Sequence, residues 1–173
     1  VSSGINTTQM HYAGDSKALA ADELMIFDVG AEVSQYAADV SRTVSLSKFS
    51  RRQQAVFDAV CDVQDYALNL LKPDITIVDY ESKVEHYMGE KLRELGLIKT
   101  IDHDSVRQYY PHATSHFLGL DVHDVGEYQR PLEPGMVLTC EPGIYIPSEA
   151  IGVRIEDDIL ITEDGNQNLS ERL

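Results

Sequence analysis

Residues 24–46 read LMIFDV GAEVSQ YAADVSRTVSL. Residues 24–29 are an apolar run of strand length, 30–35 read as a turn region, and 36–46 are rich in β-formers. The stretch therefore predicts an antiparallel hairpin. An aspartate interrupts each apolar arm: Asp28 in the first and Asp39 in the second. Both are equidistant from a turn near Val33-Ser34, so the expected register sets their carboxylates side by side.

Beyond the hairpin the pattern becomes helical. Ser50 and Gln53 form a capping-box pair, and Val56, Val60, Val63, Ala67 and Leu70 recur at helical spacing up to the stop at Pro73. A second helix is expected after Thr76, with a stripe of Val84, Met88, Leu92 and Leu95 and Gly96 at its C′ position. Past residue 110 the chain returns to loops and strands. Pro134-Gly135 marks a tight turn, and 136–141 (MVLTCE) and 152–161 (GVRIEDDILI) read as two further strands. Strands, two helices and strands again predict an α+β domain on a mainly antiparallel sheet.

The 173 residues suit one domain with a real core. Fourteen basic against 29 acidic residues leave a net charge of −15, which disfavours nucleic acid and anionic membranes as partners. No run approaches the roughly 20 apolar residues of a membrane span. Two scattered cysteines, Cys61 and Cys140, make no disulfide framework and no zinc ribbon, which points to a reducing, cytoplasmic setting. No signal peptide is evident near Val1, and the chain is expected to be part of a longer polypeptide.

The chemistry is expected where carboxylates stand in apolar strands. Asp28, Asp39, Glu141 and Glu156 all do so. One such group reads as an exposed residue or an ion-pair partner. Four buried together would repel one another, and bound cations remove that cost. Imidazole is the missing nitrogen donor, and an oxygen-rich set with one or two imidazoles suits Mn, Fe, Co or Zn. Of the six histidines, His112, His116 and His123 cluster in PHATSHFLGLDVHDVG. His86 is expected on a solvated helix face and His103 in a loop.

Together, FDVGAEVSQYAADVSRTVSL, PHATSHFLGLDVHDVG, LEPGMVLTCEPGIY and GVRIEDDILIT resemble the catalytic domain of Xaa-Pro aminopeptidases and prolidases. These belong to the pita-bread superfamily that includes methionine aminopeptidase. The likeness runs from about Ile5 to the C-terminus. It implies a pita-bread fold over residues 1–173, with a curved antiparallel sheet, flanking helices and the first helices of the family domain missing.

The resemblance also implies two divalent metal ions per chain, Mn first and Co, Zn or Fe as alternatives. Their ligands would be Asp28, Asp39, His116, Glu141 and Glu156. By the same likeness Glu141, His123 and His11 are catalytic, and His11, His112, His123, Tyr145 and Arg154 contact the substrate. The short run between His123 and Glu141 and the wording of the C-terminal segment favour an Xaa-Pro aminopeptidase, acting on peptides with proline second. An Xaa-Pro dipeptidase is the runner-up, ahead of a metal-free creatinase-type hydrolase or a non-catalytic binding module. The reading leaves a homo-oligomer open.

Overall fold

The computed structural model describes residues 1–14 and 18–172. Strand β1 (Ser2–Ser3) lies on β2 (Leu24–Val29), and β2 pairs with β5 (Val40–Ser45), all antiparallel. Between β2 and β5 the chain runs through a small hairpin of β3 (Glu32–Val33) and β4 (Tyr36–Ala37). Its tip is Ser34-Gln35, both at positive φ (53° and 67°), the backbone of a two-residue hairpin turn whose twist matches its strands.

That turn corrects the expected register. Asp28 faces Ser41, not Asp39. The expected second arm is also split, because residues 38–39 lie outside both β4 and β5. A shift of two residues preserves the side-chain face, so Asp39 still joins Asp28 on the same side. The split has a local cause. A Cβ on Gly30 would overlap the carbonyl oxygen of Ala38, so only glycine lets the two chains cross so closely.

Helix α1 (Arg51–Leu70) opens with the expected capping box, in which Ser50 Oγ accepts from the Gln53 N–H and Gln53 reciprocates. Helix α2 (Ile77–Glu94) is capped by Thr76. It ends with Gly96 at positive φ, where the Leu97 N–H bonds Leu92 O and the Gly96 N–H bonds Arg93 O. Short helix α3 (His103–Arg107) begins at His103, which is therefore not a loop residue; Asp102 caps it. His86 is exposed on α2, as expected.

The C-terminal strands are β6 (Val137–Cys140), β7 (Gly143–Ile146), β8 (Ile151–Arg154), β9 (Asp157–Ile161) and β10 (Asn166–Asn168). The expected strand 152–161 is two strands with different partners: β8 pairs β7, while β9 lies between β6 and β10. Ile155 and Glu156 form the crossing. Glu141 likewise lies just past the end of β6. One core joins these parts: Val56, Val60 and Val63 of α1 and Val84, Met88 and Leu92 of α2 share it with Leu138, Ile144, Val153 and Ile159.

Gly30→Ala is expected to force Ala38 and Asp39 away from β2. The cost should be about 1–3 kcal/mol, the range of overpacking, read as a melting temperature several degrees lower. An unchanged melting temperature would contradict the close crossing.

Candidate metal centre

Five expected ligands come together from five separate points of the chain. Asp28 stands on β2, Asp39 just before β5, His116 on the segment between α3 and β6, Glu141 after β6 and Glu156 at the β8–β9 crossing. Their donor atoms form overlapping groups, each within 4.8 Å: Asp28, Asp39 and Glu156; His116, Glu141 and Glu156; and Asp39, His116 and His123. The shared members are Glu156, Asp39 and His116. A cavity of about 240 Å³ opens over them.

Hydrogen bonds hold the ligand candidates, Glu141 and Glu156 through both backbone and side chain. The Asp39 N–H donates to both carboxylate oxygens of Asp158 (3.3 and 3.4 Å). Glu156 accepts from Ser41 Oγ (2.7 Å), and its N–H bonds Ser41 O. The Glu141 N–H bonds Thr114 O, and Thr139 Oγ1 donates to Glu141 Oε1 (3.4 Å). His116 Nδ1 lies 3.0 Å from Phe117 O. A proton on Nδ1 satisfies that carbonyl and leaves Nε2 as a lone-pair donor, 3.4 Å from Glu141 and 3.8 Å from Asp39.

The electrostatics record the crowding. Burial and then the charge of Asp28 push Asp39 up to about 6. Glu141 and Glu156 are raised well above the carboxylate range. Burial leads in both, followed by the charge of Glu156 on Glu141 and of Asp39 on Glu156. Arg154 is the buried counter-charge. It donates from Nε to Ser41 Oγ (2.9 Å), from Nη1 to Met10 O (3.2 Å) and from Nη2 to Asp28. One guanidinium against four carboxylates leaves a surplus of negative charge. Hard divalent cations match it, so the donor set fits a metal.

The other expected residues surround this group. His11 and His123 line the cavity, and His123 stacks on His116 with ring centroids 4.1 Å apart. His112 also lines it. Burial lowers His112 to about 4, so it is neutral at pH 7, with Nε2 2.8 Å from Tyr145 Oη. Tyr145 is behind the wall rather than on it and reaches the cavity through His112 and Arg154. Met10 and Tyr128 line the cavity as well. The sequence reading passed over these two, along with Ser41, Thr139 and Asp158. Ser41 had one available signal, standing two residues from Asp39 on the same strand face.

The chain was compared with known proteins. The model for metallopeptidase family M24 matches residues 1–163. The Xaa-Pro aminopeptidase of Escherichia coli is 40% identical over 98% of this chain and 43% of its own length. Xaa-Pro aminopeptidase 3 of Rattus norvegicus is 37% identical over 98% of this chain and 37% of its own. Among solved structures, proline aminopeptidase P II from Yersinia pestis superposes with a TM-score of 0.92 at 39% identity, covering 98% of this chain and 43% of that one. Aminopeptidase P from E. coli with the inhibitor Pro-Leu gives 0.90 at 39%, with the same coverage. The fold expected from the resemblance is the one these structures share. The chain spans about two fifths of the length of the relatives it matches.

In the fold, Glu141 and Glu156 hold protons to higher pH than in the unfolded chain. Their contribution to stability is full below about pH 4.5 and is lost as pH rises through their folded values. Buried His112 and His116 run the other way, gaining stability only up to their ordinary value of 6.5. With a chelator present, stability is therefore expected to fall as pH rises above 6.5, at a slope on the order of 1 kcal/mol per pH unit. A saturating divalent cation should flatten the fall. A melting temperature of the chelated chain that holds or climbs above pH 6.5 would contradict this.

Proposed function

The chain belongs to metallopeptidase family M24, and from that premise we propose that it carries the catalytic site of a metal-dependent Xaa-Pro aminopeptidase. The observation that supports this most is the convergence of four carboxylates and one imidazole nitrogen, with every other acid–base group of the cavity arranged around them. Asp28, Asp39, His116, Glu141 and Glu156 are proposed to be the residues that would hold two divalent cations. The donors are mostly carboxylate oxygen, which suits Mn first and Co, Zn or Fe next. Bound there, the metals would polarise a peptide carbonyl and make a water acidic near neutral pH.

The remaining steps belong to the chain's own residues. Glu141 takes a proton from the attacking water and passes it to the proline nitrogen as the preceding C–N bond breaks. The water oxygen ends in the new carboxylate of the released first residue. His123 is exposed beside His116 and free to turn toward the carbonyl oxygen as it gains negative charge, where its ring N–H donates. His11 closes the same wall. On the proline side, neutral His112 lines the cavity and faces the pyrrolidine, Tyr145 backs it from behind the wall, and Arg154 anchors both Tyr145 and Asp28.

Peptides with proline second are the proposed substrates. A cytoplasmic, reducing location is proposed with them, since Cys61 and Cys140 are both free thiols. Among the described residues no helix is long and apolar enough to cross a membrane.

With added Mn, the protein is expected to release the first residue of an Xaa-Pro-Xaa tripeptide and to act poorly on an Xaa-Pro dipeptide; the reverse preference would make it a dipeptidase. Asp39→Ala or Glu156→Ala should remove activity and lower metal content while the fold persists. Normal turnover by either variant would sink the assignment.

A further inference from the structure

Two of the proposed ligands, His116 and Glu141, depend on a segment with no regular structure of its own. Residues 111–116 run irregularly from α3 toward β6. On one side the segment is tied to β6. The Thr139 N–H bonds His116 O, the His116 N–H bonds Thr139 Oγ1, and the Glu141 N–H bonds Thr114 O. On the other side it meets the half-buried side chain of Glu81, on the second turn of α2, and its neighbour Tyr80.

The Glu81 carboxylate accepts from the Thr114 N–H (2.8 and 2.9 Å), the Ser115 N–H (2.9 Å) and Thr114 Oγ1 (3.0 Å). Its neighbour Tyr80 accepts from Ser115 Oγ (3.1 Å). The Thr114 peptide is therefore held at both ends, its N–H on Glu81 and its C=O on the Glu141 N–H. Ser115, which Glu81 also grips, directly precedes His116. Glu81, Tyr80 and Thr114 lie outside the cavity lining, and a charged acceptor aimed at two adjacent N–H groups is stronger than a neutral one.

Resting on the metal-site reading above, we infer that Glu81 is a positioning residue that fixes the spacing between His116 and Glu141 by clamping the Thr114-Ser115 peptides to α2. Its influence passes through Thr114 to Glu141 and through Ser115 to His116. Replacing it leaves two buried donors without a partner and frees the segment to shift relative to β6. The geometry needs an oxygen that accepts both N–H groups. The carbonyl oxygen of a glutamine reaches as far as that of glutamate; an aspartate falls short by one methylene.

The test is Mn binding by calorimetry, together with the visible absorption of the Co-loaded protein and the melting temperature of the chelated protein. Glu81→Leu is expected to weaken Mn binding about 10–100-fold, the usual range for groups that orient metal ligands, and to alter the Co spectrum at saturation. Glu81→Gln should recover most of the affinity and Glu81→Asp should not, which keeps the test intact if the leucine variant does not fold. Met88→Ala, a core change on the same helix away from the segment, serves as the comparison. It should lower the melting temperature without weakening Mn binding.

Mn affinity within twofold of the unaltered protein in Glu81→Leu or Glu81→Asp would overturn the inference. So would a loss that merely tracks melting temperature, as judged against Met88→Ala. If the unaltered protein binds no Mn or Co, the metal-site reading fails and the inference falls with it. Normal binding by the unaltered protein and by the Glu81 variants alike overturns the clamp alone.

Discussion

The structure is organised around an electrostatic liability. Asp28, Asp39, Glu141 and Glu156 point into one half-buried cavity, and Arg154 is the buried cation among them. Folding must bring these groups together against their repulsion and against the loss of water around them. Much of the surrounding architecture serves to hold them there. Arg154 is fixed by Ser41, Met10 and Tyr145 rather than left to find its own place. Ser41 takes a hydrogen bond from Arg154 and gives one to Glu156, so a single hydroxyl links counter-charge to carboxylate. Arg42 donates to the carbonyl of Glu156 and to Asp157, pinning the strand crossing from behind.

This explains where the ligands sit. None of the four carboxylates lies in the middle of a regular two-sided ladder. Asp28 is next to last in β2, Asp39 precedes β5, Glu141 follows β6 and Glu156 falls between β8 and β9. Mid-strand side chains alternate strictly and project at fixed spacing from one sheet. Ends and crossings let carboxylates from different sheets approach within one cavity. The isolated bridge from Ser41 to Glu156 joins the first sheet to the crossing, and Arg42 adds a second tie. Gly30 serves the same end, since its missing side chain lets the backbone before Asp39 pass close to β2.

Legibility in the sequence followed the same divide. Features set by local chemistry were readable. Ser50 with Gln53, Thr76, Gly96 and Pro134-Gly135 each satisfy or bend a nearby backbone, and the structure uses all of them as expected. Asp28 and Asp39 come to one side of the hairpin in a register two positions from the expected one, because an even shift keeps the same face. The split of 152–161 and the detachment of Asp39 from its strand depend on a change of partner and leave no local mark; α3, which takes in His103, is by contrast capped locally by Asp102. The backbone anchors Ser41, Asp158 and Thr139 were passed over for a related reason. Ser41 and Asp158 act across more than a hundred residues of sequence, and Thr139 holds His116 from 23 residues away.

The proposed two-metal site also has a charge balance. With all four carboxylates ionised, as cation binding would require, and one guanidinium, the cavity carries three negative charges. A single divalent cation would leave one, and a carbonyl gaining negative charge in the transition state would meet repulsion. Two divalent cations leave one positive charge, which favours that developing oxyanion over the neutral ground state. On this view Arg154 is not merely an ion-pair partner of Asp28. It reduces the anionic surplus to a value that two cations, and not one, turn positive.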